Sequence, residues 1–413
     1  VSDKLEQILK LVKELIDEKR QFNDWNPGED WIQYSGPHYD ELEYSAAIKS
    51  LLGEWLVFGK ECRNFELEFP KLLGKKLGVL TNSGSSANLL MMSALTSNKE
   101  NLSKYSLPEG SKILTPIVCF PTTLNPILQC GFEPVFVDID LPSLNLNLDQ
   151  VEDLLSKDTN KEIKAIIFAH VLGNPPDMDR LMNIIEKYDL IFLEDACDAL
   201  GSTYNGKKLG SYGHMSTCSF YPAHHMTMGE GGFIATDIYP LRKAMASFRD
   251  WGRGCYCNEL KPGDVTSKTA CGNRFKKWLC GKPDALYDHR YVYDHIGFNL
   301  KPLELQGALG LEQIKKLPDL ERARRQNFKR LYDIFEKYEK YFHLPKATPK
   351  SNPCWFAFLF TVRDSAPFVR QEIVEFLEDH KIQTRSYFAG NVLYHPAYKE
   401  LRASWPDLKN NFP

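Results

Sequence analysis

Between residues 3 and 24 apolar side chains recur at helical spacing (Leu5, Ile8, Leu9, Val12, Leu15, Ile16) with charges between them. This pattern predicts an amphipathic helix. A turn-rich stretch follows. Beyond it, short β-prone apolar runs alternate with helical patterns, at 112–118 (KILTPIV), 134–138 (PVFVD), 164–170 (KAIIFAH), 190–194 (LIFLE), 216–221 (STCSFY) and 231–236 (GGFIAT). Strands that alternate with helices and read as continuous apolar runs build a mostly parallel sheet buried on both faces, so the class is α/β. Residues 252–300 break the alternation with clustered Gly, Cys, aromatics and charges, and read as long functional loops. Helical spacing returns from Pro302 to about Lys340, then come a strand-like run from Trp355 to Val362 and a helix from Phe368 to His380. The expected organisation is an N-terminal helix and arm (1–40), a large α/β domain (41–300) and a small C-terminal α+β domain (301–413). No internal repeat or low-complexity segment interrupts it.

Composition narrows the function classes. A chain of 413 residues that is 43% hydrophobic can bury a large core. Lys+Arg number 51 against 54 Asp+Glu, so no bulk field recommends nucleic acid or an anionic membrane as partner. There is neither an apolar run of membrane-spanning length nor a leader of the secretory kind, and a cytoplasmic location is the default expectation. The chain starts at Val1 without methionine and stops at Pro413, which leaves room for a longer polypeptide and a truncated C-terminal domain. Ten irregularly spaced cysteines do not read as a disulfide framework; in a reducing compartment thiols are buried, catalytic or metal-bound.

Two segments carry candidate chemistry. Asn82-Ser83-Gly84-Ser85-Ser86-Ala87-Asn88 leads into the apolar helical run Leu89–Leu95; small residues entering a helix leave backbone N–H groups free to cradle a phosphate, although an ordinary capped helix has the same look. The run Leu190–Glu194 places Asp195 at the C-terminal end of a buried strand, where open α/β sheets put their sites. There it could pair with a protonated pyridine nitrogen or simply cap the next helix.

The segment Ser219-Phe220-Tyr221-Pro222-Ala223-His224-His225-Met226-Thr227-Met228-Gly229-Glu230-Gly231-Gly232 resembles the cofactor-lysine loop of the sugar aminotransferase and dehydratase family, a branch of the aspartate-aminotransferase fold (fold type I). In that family a serine precedes the Schiff-base lysine by five residues; here Ser219 precedes His224 by five. Asn82–Asn88, Cys119-Phe120-Pro121-Thr122-Thr123, Glu194-Asp195 and Gly297-Phe298-Asn299-Leu300-Lys301 stand in the family's order, so the resemblance covers most of the chain. It implies that Gly84, Ser85 and Ser219 hold the phosphate of a vitamin B6 cofactor, that Phe120 stacks on its ring and that Asp195 meets the ring nitrogen. Asp198 stands where transaminases usually carry glutamine near the phenolic oxygen. Asn299 would reach the phosphate of a neighbouring subunit, implying a homodimer.

A transaminase lysine both forms a Schiff base with the cofactor and moves the proton at its C4′ carbon; imidazole can do only the second. The cofactor is then expected non-covalently, as pyridoxamine 5′-phosphate or pyridoxal phosphate. His224 would act as base and the outcome would be loss of a sugar hydroxyl in place of amino transfer. His225 is the competing base, and Tyr221 could assist or merely pack. The substrate implied is a nucleotide-linked 4-keto-6-deoxyhexose, dehydrated at C-3. Arg385 and Asn391, the latter in Phe388-Ala389-Gly390-Asn391, resemble the family's substrate-side loop.

Histidine-bearing members of the family divide into a cluster-free GDP-4-keto-6-deoxymannose 3-dehydratase type and a CDP-4-keto-6-deoxyglucose 3-dehydrase type with a [2Fe–2S] cluster. Cys197 lies 57 intervening residues before Cys255, which only Tyr256 separates from Cys257. Those gaps resemble the iron–sulfur type. Cys271, in Cys271-Gly272-Asn273-Arg274-Phe275, is the implied fourth ligand despite thirteen intervening residues after Cys257, a longer gap than the type shows; Cys280 is the alternative. Four thiolates suit iron–sulfur or zinc. No Gly-x-Gly-x-x-Gly dinucleotide fingerprint is present, so electrons would come from an NAD(P)H-dependent iron–sulfur flavoprotein reductase. Cys62, Cys119, Cys130, Cys218 and Cys354 read as small core residues. A cluster-free dehydratase and a non-catalytic B6-binding scaffold are the rival readings.

Overall fold

The structure, a computed structural model, describes residues 2–21, 25–141, 143–255 and 287–404. Seven strands form its central sheet: β1 (Leu77–Thr81), β2 (Lys112–Pro116), β3 (Glu133–Val137), β4 (Ile163–Ala169), β5 (Ile191–Asp195), β6 (Met215–Ser219) and β7 (Gly232–Thr236). Their order is β1-β7-β6-β5-β4-β2-β3, and β7 alone runs antiparallel to its neighbours. The sequence pattern misses β1, because Leu77-Gly78-Val79-Leu80-Thr81 is short and contains a glycine.

Period-two alternation sends successive residues of each strand to opposite faces. Ile166 and Phe168 of β4, Phe192 of β5 and Phe233 of β7 join one core, with Phe65, Phe69 and Phe220. Ala165, Ile167, Ile191, Leu193 and Ile234 join the other, with Leu90, Met91 and Leu124. Both faces are dry, which explains why these strands read as unbroken apolar runs. Each fully buried Phe or Ile contributes about 1.5–3 kcal/mol.

The helices are α1 (Ser2–Gln21), α2 (Glu41–Leu52), α3 (Lys60–Glu68), α4 (Gly84–Ala94), α5 (Pro121–Gln129), α6 (Leu148–Lys157), α7 (Met178–Tyr188), α8 (Tyr239–Arg249), α9 (Glu304–Phe335), α10 (Arg370–Asp379) and α11 (Lys399–Ala403). The long α9 packs against α2 and α3 and carries Arg324 toward the sheet. No helix among the described residues is long and apolar enough to cross a membrane.

The expected strand from Trp355 to Val362 is corrected: only Thr361–Val362 pairs, with Phe342–His343. Its aromatic residues pack as rings against α9, Trp355 stacking on Phe328 at 3.9 Å and Phe360 on Phe335 at 4.9 Å. Side-chain packing on a helix has overridden β-propensity. In the expected loop region, residues 252–255 and 287–300 form isolated bridges, including Asp250↔Asn299 and Arg253↔Tyr293, and one short 3₁₀ turn.

Candidate active site

Six of the seven strands point one way, so their C-terminal ends share one edge with the start of β7. There β1 delivers the turn into α4. Ser83 caps that helix, its Oγ accepting from Ser86 N–H at 3.1 Å. Thus the capped-helix reading and the phosphate reading hold together, since a helix N-terminus has N–H groups without intrahelical acceptors. A Cβ on Gly84 would stand 2.4 Å from Ser219 Cβ, and one on Gly232 would stand 2.0 Å from Ser83 O. Only glycine allows the three segments to close to this distance. Gly84, Ser85 and Ser219 are therefore brought together, with Ser85 Oγ donating to Thr122 Oγ1 at 3.2 Å.

Asp195 ends β5 and is 4% exposed. Its Oδ2 accepts from Asn88 Nδ2 (2.9 Å) and Thr123 Oγ1 (2.8 Å), while Oδ1 accepts from Cys197 N–H at 3.2 Å. Asn88 is itself held by Thr217, whose Oγ1 donates to Asn88 Oδ1 at 2.7 Å. Asp195 caps no helix, and the alternative of a simple N-cap falls. Sequence reading names Asn88 and Thr123 only as members of motifs and Thr217 not at all, because a buried polar residue inside an apolar helix or strand declares its partner only after folding.

His224 lies beyond β6 in a turn where its N–H donates to Tyr221 O at 2.9 Å. Its Nδ1 stands 3.7 Å from Asp198 Oδ1. Burial drives the imidazole down to about 4, so it is neutral at pH 7. Burial, and secondarily Asp195, pushes the Asp198 carboxyl up to about 7. A neutral base thus faces an acid poised near neutrality. Its neighbour His225 is turned away, 2% exposed, with Nε2 bound to Cys354 O at 2.5 Å. Arg324 of α9 donates to Phe356 O (2.9 Å) and His224 O (3.0 Å). The Phe356 ring lies 5.2 Å from the His224 ring.

Phe120 precedes α5, is half exposed and meets Phe388 edge-on at 6.3 Å. Phe388 holds φ at 41°, a strained value for a bulky residue, and stacks on Tyr387. Asn391 Oδ1 is used within its own turn, accepting from Leu393 N–H at 3.1 Å, and its backbone bridges to Val118. Arg385 is exposed, its guanidinium 4.1 Å from the Tyr34 ring. Tyr221 is 45% exposed, and its carbonyl accepts from His224 N–H. Asn299 is exposed, with Oδ1 accepting from Lys301 Nζ at 2.5 Å.

Among the cysteines, Cys62, Cys119, Cys218 and Cys354 are buried, as expected of core residues, whereas Cys130, Cys197 and Cys255 keep partial exposure. The Cys197 thiol is pushed well above its ordinary value by burial and by Asp195. Cys257, Cys271 and Cys280 lie outside the described residues. A groove of about 830 Å³ bordered by Lys112, Glu133 and Ile163 lies at the opposite edge, where β2, β3 and β4 begin. Strand polarity assigns the chemistry to the Asp195 edge.

Buried polar atoms without partners mark what this edge can receive. Asp198 Oδ2 and His224 Nδ1 are such atoms. Together with the Gly84 cradle and the acceptor Asp195 they fit a phosphorylated pyridine, which needs an anion site, a partner for its ring nitrogen and groups near its C4′ and phenolic oxygen.

A family model for the DegT/DnrJ/EryC1/StrS aminotransferase family matches residues 37–411. The chain is 41% identical over 380 residues to dTDP-4-dehydro-2,6-dideoxy-D-glucose 3-dehydratase of Saccharopolyspora spinosa, covering 92% of this chain and 79% of that protein. It is 40% identical over 401 residues to lipopolysaccharide biosynthesis protein RfbH of Salmonella typhimurium, covering 96% and 88%. Among solved structures, GDP-4-keto-6-deoxymannose-3-dehydratase with bound GDP-perosamine, a histidine-to-asparagine mutant, superposes with a TM-score of 0.75 at 30% identity, covering 93% of this chain and 90% of that one. The E. coli GDP-4-keto-6-deoxy-D-mannose-3-dehydratase with bound hydrated PLP does so with a TM-score of 0.75 at 31% identity, covering 90% and 89%.

Proposed function

This chain belongs to the DegT/DnrJ/EryC1/StrS aminotransferase family, with the fold of type I PLP-dependent enzymes, and from that premise we propose that it dehydrates a nucleotide-linked 4-keto-6-deoxyhexose at C-3. The observation that carries this reading is the buried, neutral His224, 3.7 Å from Asp198 and five residues after Ser219, the offset at which the resemblance expects a lysine. The names of the relatives, sugar 3-dehydratases, support it.

Gly84, Ser85 and Ser219 would hold the cofactor phosphate and Phe120 would cover the ring. Asp195, fixed by Asn88 and Thr123, would accept from the ring nitrogen. Pyridoxamine phosphate, when bound, supplies an amine for the keto sugar and a ring that draws electrons from it. With the cofactor bound, His224 would take the proton at C4′, and its neutral state at pH 7 would let it do so without first losing one. Asp198 can hold or return a proton beside it. His225 cannot substitute, because its ring is engaged with Cys354 O.

The finer part of the proposal is a [2Fe–2S] cluster on Cys197, Cys255, Cys257 and Cys271, reduced by an NAD(P)H-dependent iron–sulfur flavoprotein partner. The spacing of the cysteines supports it. The cluster would supply electrons singly. A homodimer with Asn299 near the neighbouring phosphate, a cytoplasmic setting and a role in deoxysugar biosynthesis for lipopolysaccharide O-antigen complete the reading; the name of the Salmonella relative supports the last.

The test is the visible spectrum of anaerobically purified protein, with C4′ proton exchange in the presence of CDP-, GDP- or dTDP-linked 4-keto-6-deoxyhexoses. Substrate-dependent exchange that vanishes in His224→Asn is expected. Exchange unaffected by that substitution moves the base elsewhere, and no exchange with any sugar nucleotide favours a B6-binding scaffold.

A further inference from the structure

The arm between α1 and α2 lies largely ahead of the span that matches the family, and none of the roles above uses it. Its residues run beside the segment after α10. Ile32 N–H donates to Lys381 O at 2.7 Å, Gln383 N–H donates to Ile32 O at 2.9 Å, and Tyr34 N–H donates to Gln383 Oε1 at 3.2 Å. Farther along, the Tyr39 hydroxyl donates to Thr227 O at 3.2 Å, and Gln313 Nε2 donates to His38 O at 3.0 Å. The arm is thereby tied both to the loop that bears His224 and to the segment that bears Arg385.

Between these ties lies a cavity of about 580 Å³, bordered by Trp31, Gln33, Tyr34, Tyr221, Glu378 and Gln383. That volume falls inside the usual range for small-molecule sites, roughly 300–1,000 Å³. Its three large rings are partly open to solvent: Trp31 is 45% exposed, Tyr34 44% and Tyr221 45%. Tyr34 and Tyr221 border the cavity from the arm and from the His224 loop respectively. Cations stand at the outer rim, Arg385 4.1 Å from the Tyr34 ring and Lys381 5.2 Å from the Trp31 ring. The lining carboxylate is already engaged, Glu378 Oε1 accepting from Thr384 N–H (2.6 Å) and Oγ1 (2.7 Å).

Flat π-faces, two neutral amides and rim cations match one ligand chemistry. A nucleobase stacks on aromatic rings, its edge exchanges hydrogen bonds with amides, and a diphosphate seeks a guanidinium. The position suits the same substrate as the active site, because Tyr221 and Pro222 border the cavity and His224 follows within the same turn.

We propose that this cavity is the nucleoside subsite: Trp31, Tyr34 and Tyr221 take the base, Gln33 reads its edge, and Arg385 meets the diphosphate. The inference rests on the sugar-nucleotide reading above. It reassigns Tyr221 from a helper of His224 to a wall of the base site, and it makes the arm the element that sets nucleotide preference.

The test is isothermal titration of the cofactor-loaded protein with CDP, GDP, UDP and dTDP, repeated on Trp31→Leu, Tyr34→Leu, Gln33→Leu and Arg385→Gln. Wild type should bind at least one nucleotide. Each aromatic variant should weaken it about tenfold or more, since stacking is lost. Gln33→Leu should weaken it about fivefold and flatten the preference among bases. The B6 spectrum should not change in any of them. Aromatic variants that bind like wild type overturn the proposal. So does a wild type that binds no nucleoside diphosphate yet still exchanges C4′ protons with sugar nucleotides, and in that case the dehydratase reading survives. If sugar nucleotides elicit no exchange and nucleotides do not bind, both fall.

Discussion

Arg324 donates to the main-chain carbonyl of His224 at 3.0 Å, so a guanidinium on α9 fixes the backbone of the proposed base. The same group binds Phe356 O at 2.9 Å, locking the ring that faces the imidazole. Its charge also helps hold the imidazole neutral, behind the larger effect of burial.

Two consequences separate positioning from plain stability. Arg324→Met should reduce C4′ exchange about tenfold or more, because a small displacement of the base is costly. It should also move the acid limb of the pH–rate profile upward, since removing a nearby cation raises the imidazole pKa. Arg324→Lys should restore the charge effect but not the two-carbonyl geometry. A profile that keeps its acid limb in Arg324→Met would show that the residue acts only through folding.

The two adjacent histidines should respond differently. His224→Asn is expected to abolish exchange with B6 binding nearly intact, and His224→Lys to give a borohydride-reducible link to pyridoxal phosphate in that peptide. His225→Gln should instead destabilise the protein by about 1–3 kcal/mol, as loss of a buried hydrogen bond does, with the surviving folded fraction still active. Denaturation curves together with exchange rates check both. A fully active His224→Asn protein would overturn the assignment.

Much of this site was legible beforehand. Gly84, Asp195, Ser219 and His224 sit at the ends or starts of elements, where local sequence fixes position and the offset from Ser219 to His224 is countable. For Tyr221 a three-residue offset says nothing about which way the ring turns; folding leaves it 45% exposed, bordering the same cavity as Tyr34. Arg324 was invisible for the same reason, one arginine among several on a charged helix until the fold carries it to His224 O. The Trp355–Val362 strand failed where aromatic residues found a helix to pack on in place of a neighbouring strand.

Asp198 gives a pH signature in the cofactor-free protein. Its folded pKa, about 7, lies above the ordinary 3.8, so burial favours the protonated fold. Its contribution to stability is fully present below about pH 4 and is lost as pH rises to 7 and beyond, by up to about 4 kcal/mol. Asp198→Asn, which cannot ionise, should therefore gain on wild type between pH 5 and 8 in urea unfolding. His224 works in the opposite sense. Depressed to about 4, it contributes above the unfolded value of about 6.5 and loses that contribution as pH falls through 4, so His224→Asn should gain on wild type at low pH. A gap between wild type and Asp198→Asn that is flat in pH would contradict the buried-acid reading.

The cysteines supply the test of the cluster. Cys197 follows Asp195 by two residues and donates its backbone N–H to that carboxylate at 3.2 Å. Without iron, burial and Asp195 keep the thiol protonated, and formation of the thiolate requires the metal's charge to offset both. Iron uptake should therefore release protons and weaken as pH falls. Cys197→Ser, Cys255→Ser, Cys257→Ser and Cys271→Ser should each lower bound iron and the reductase-dependent yield of 3-deoxy sugar, whereas Cys280→Ser should spare both. None should lower C4′ exchange more than about threefold, because the proton moves through His224 before any electron is needed. Iron and acid-labile sulfide assays after anaerobic reconstitution decide the matter. Loss of iron in Cys280→Ser with retention in Cys271→Ser exchanges the fourth ligand, and a wild-type protein that takes up no iron is a cluster-free dehydratase.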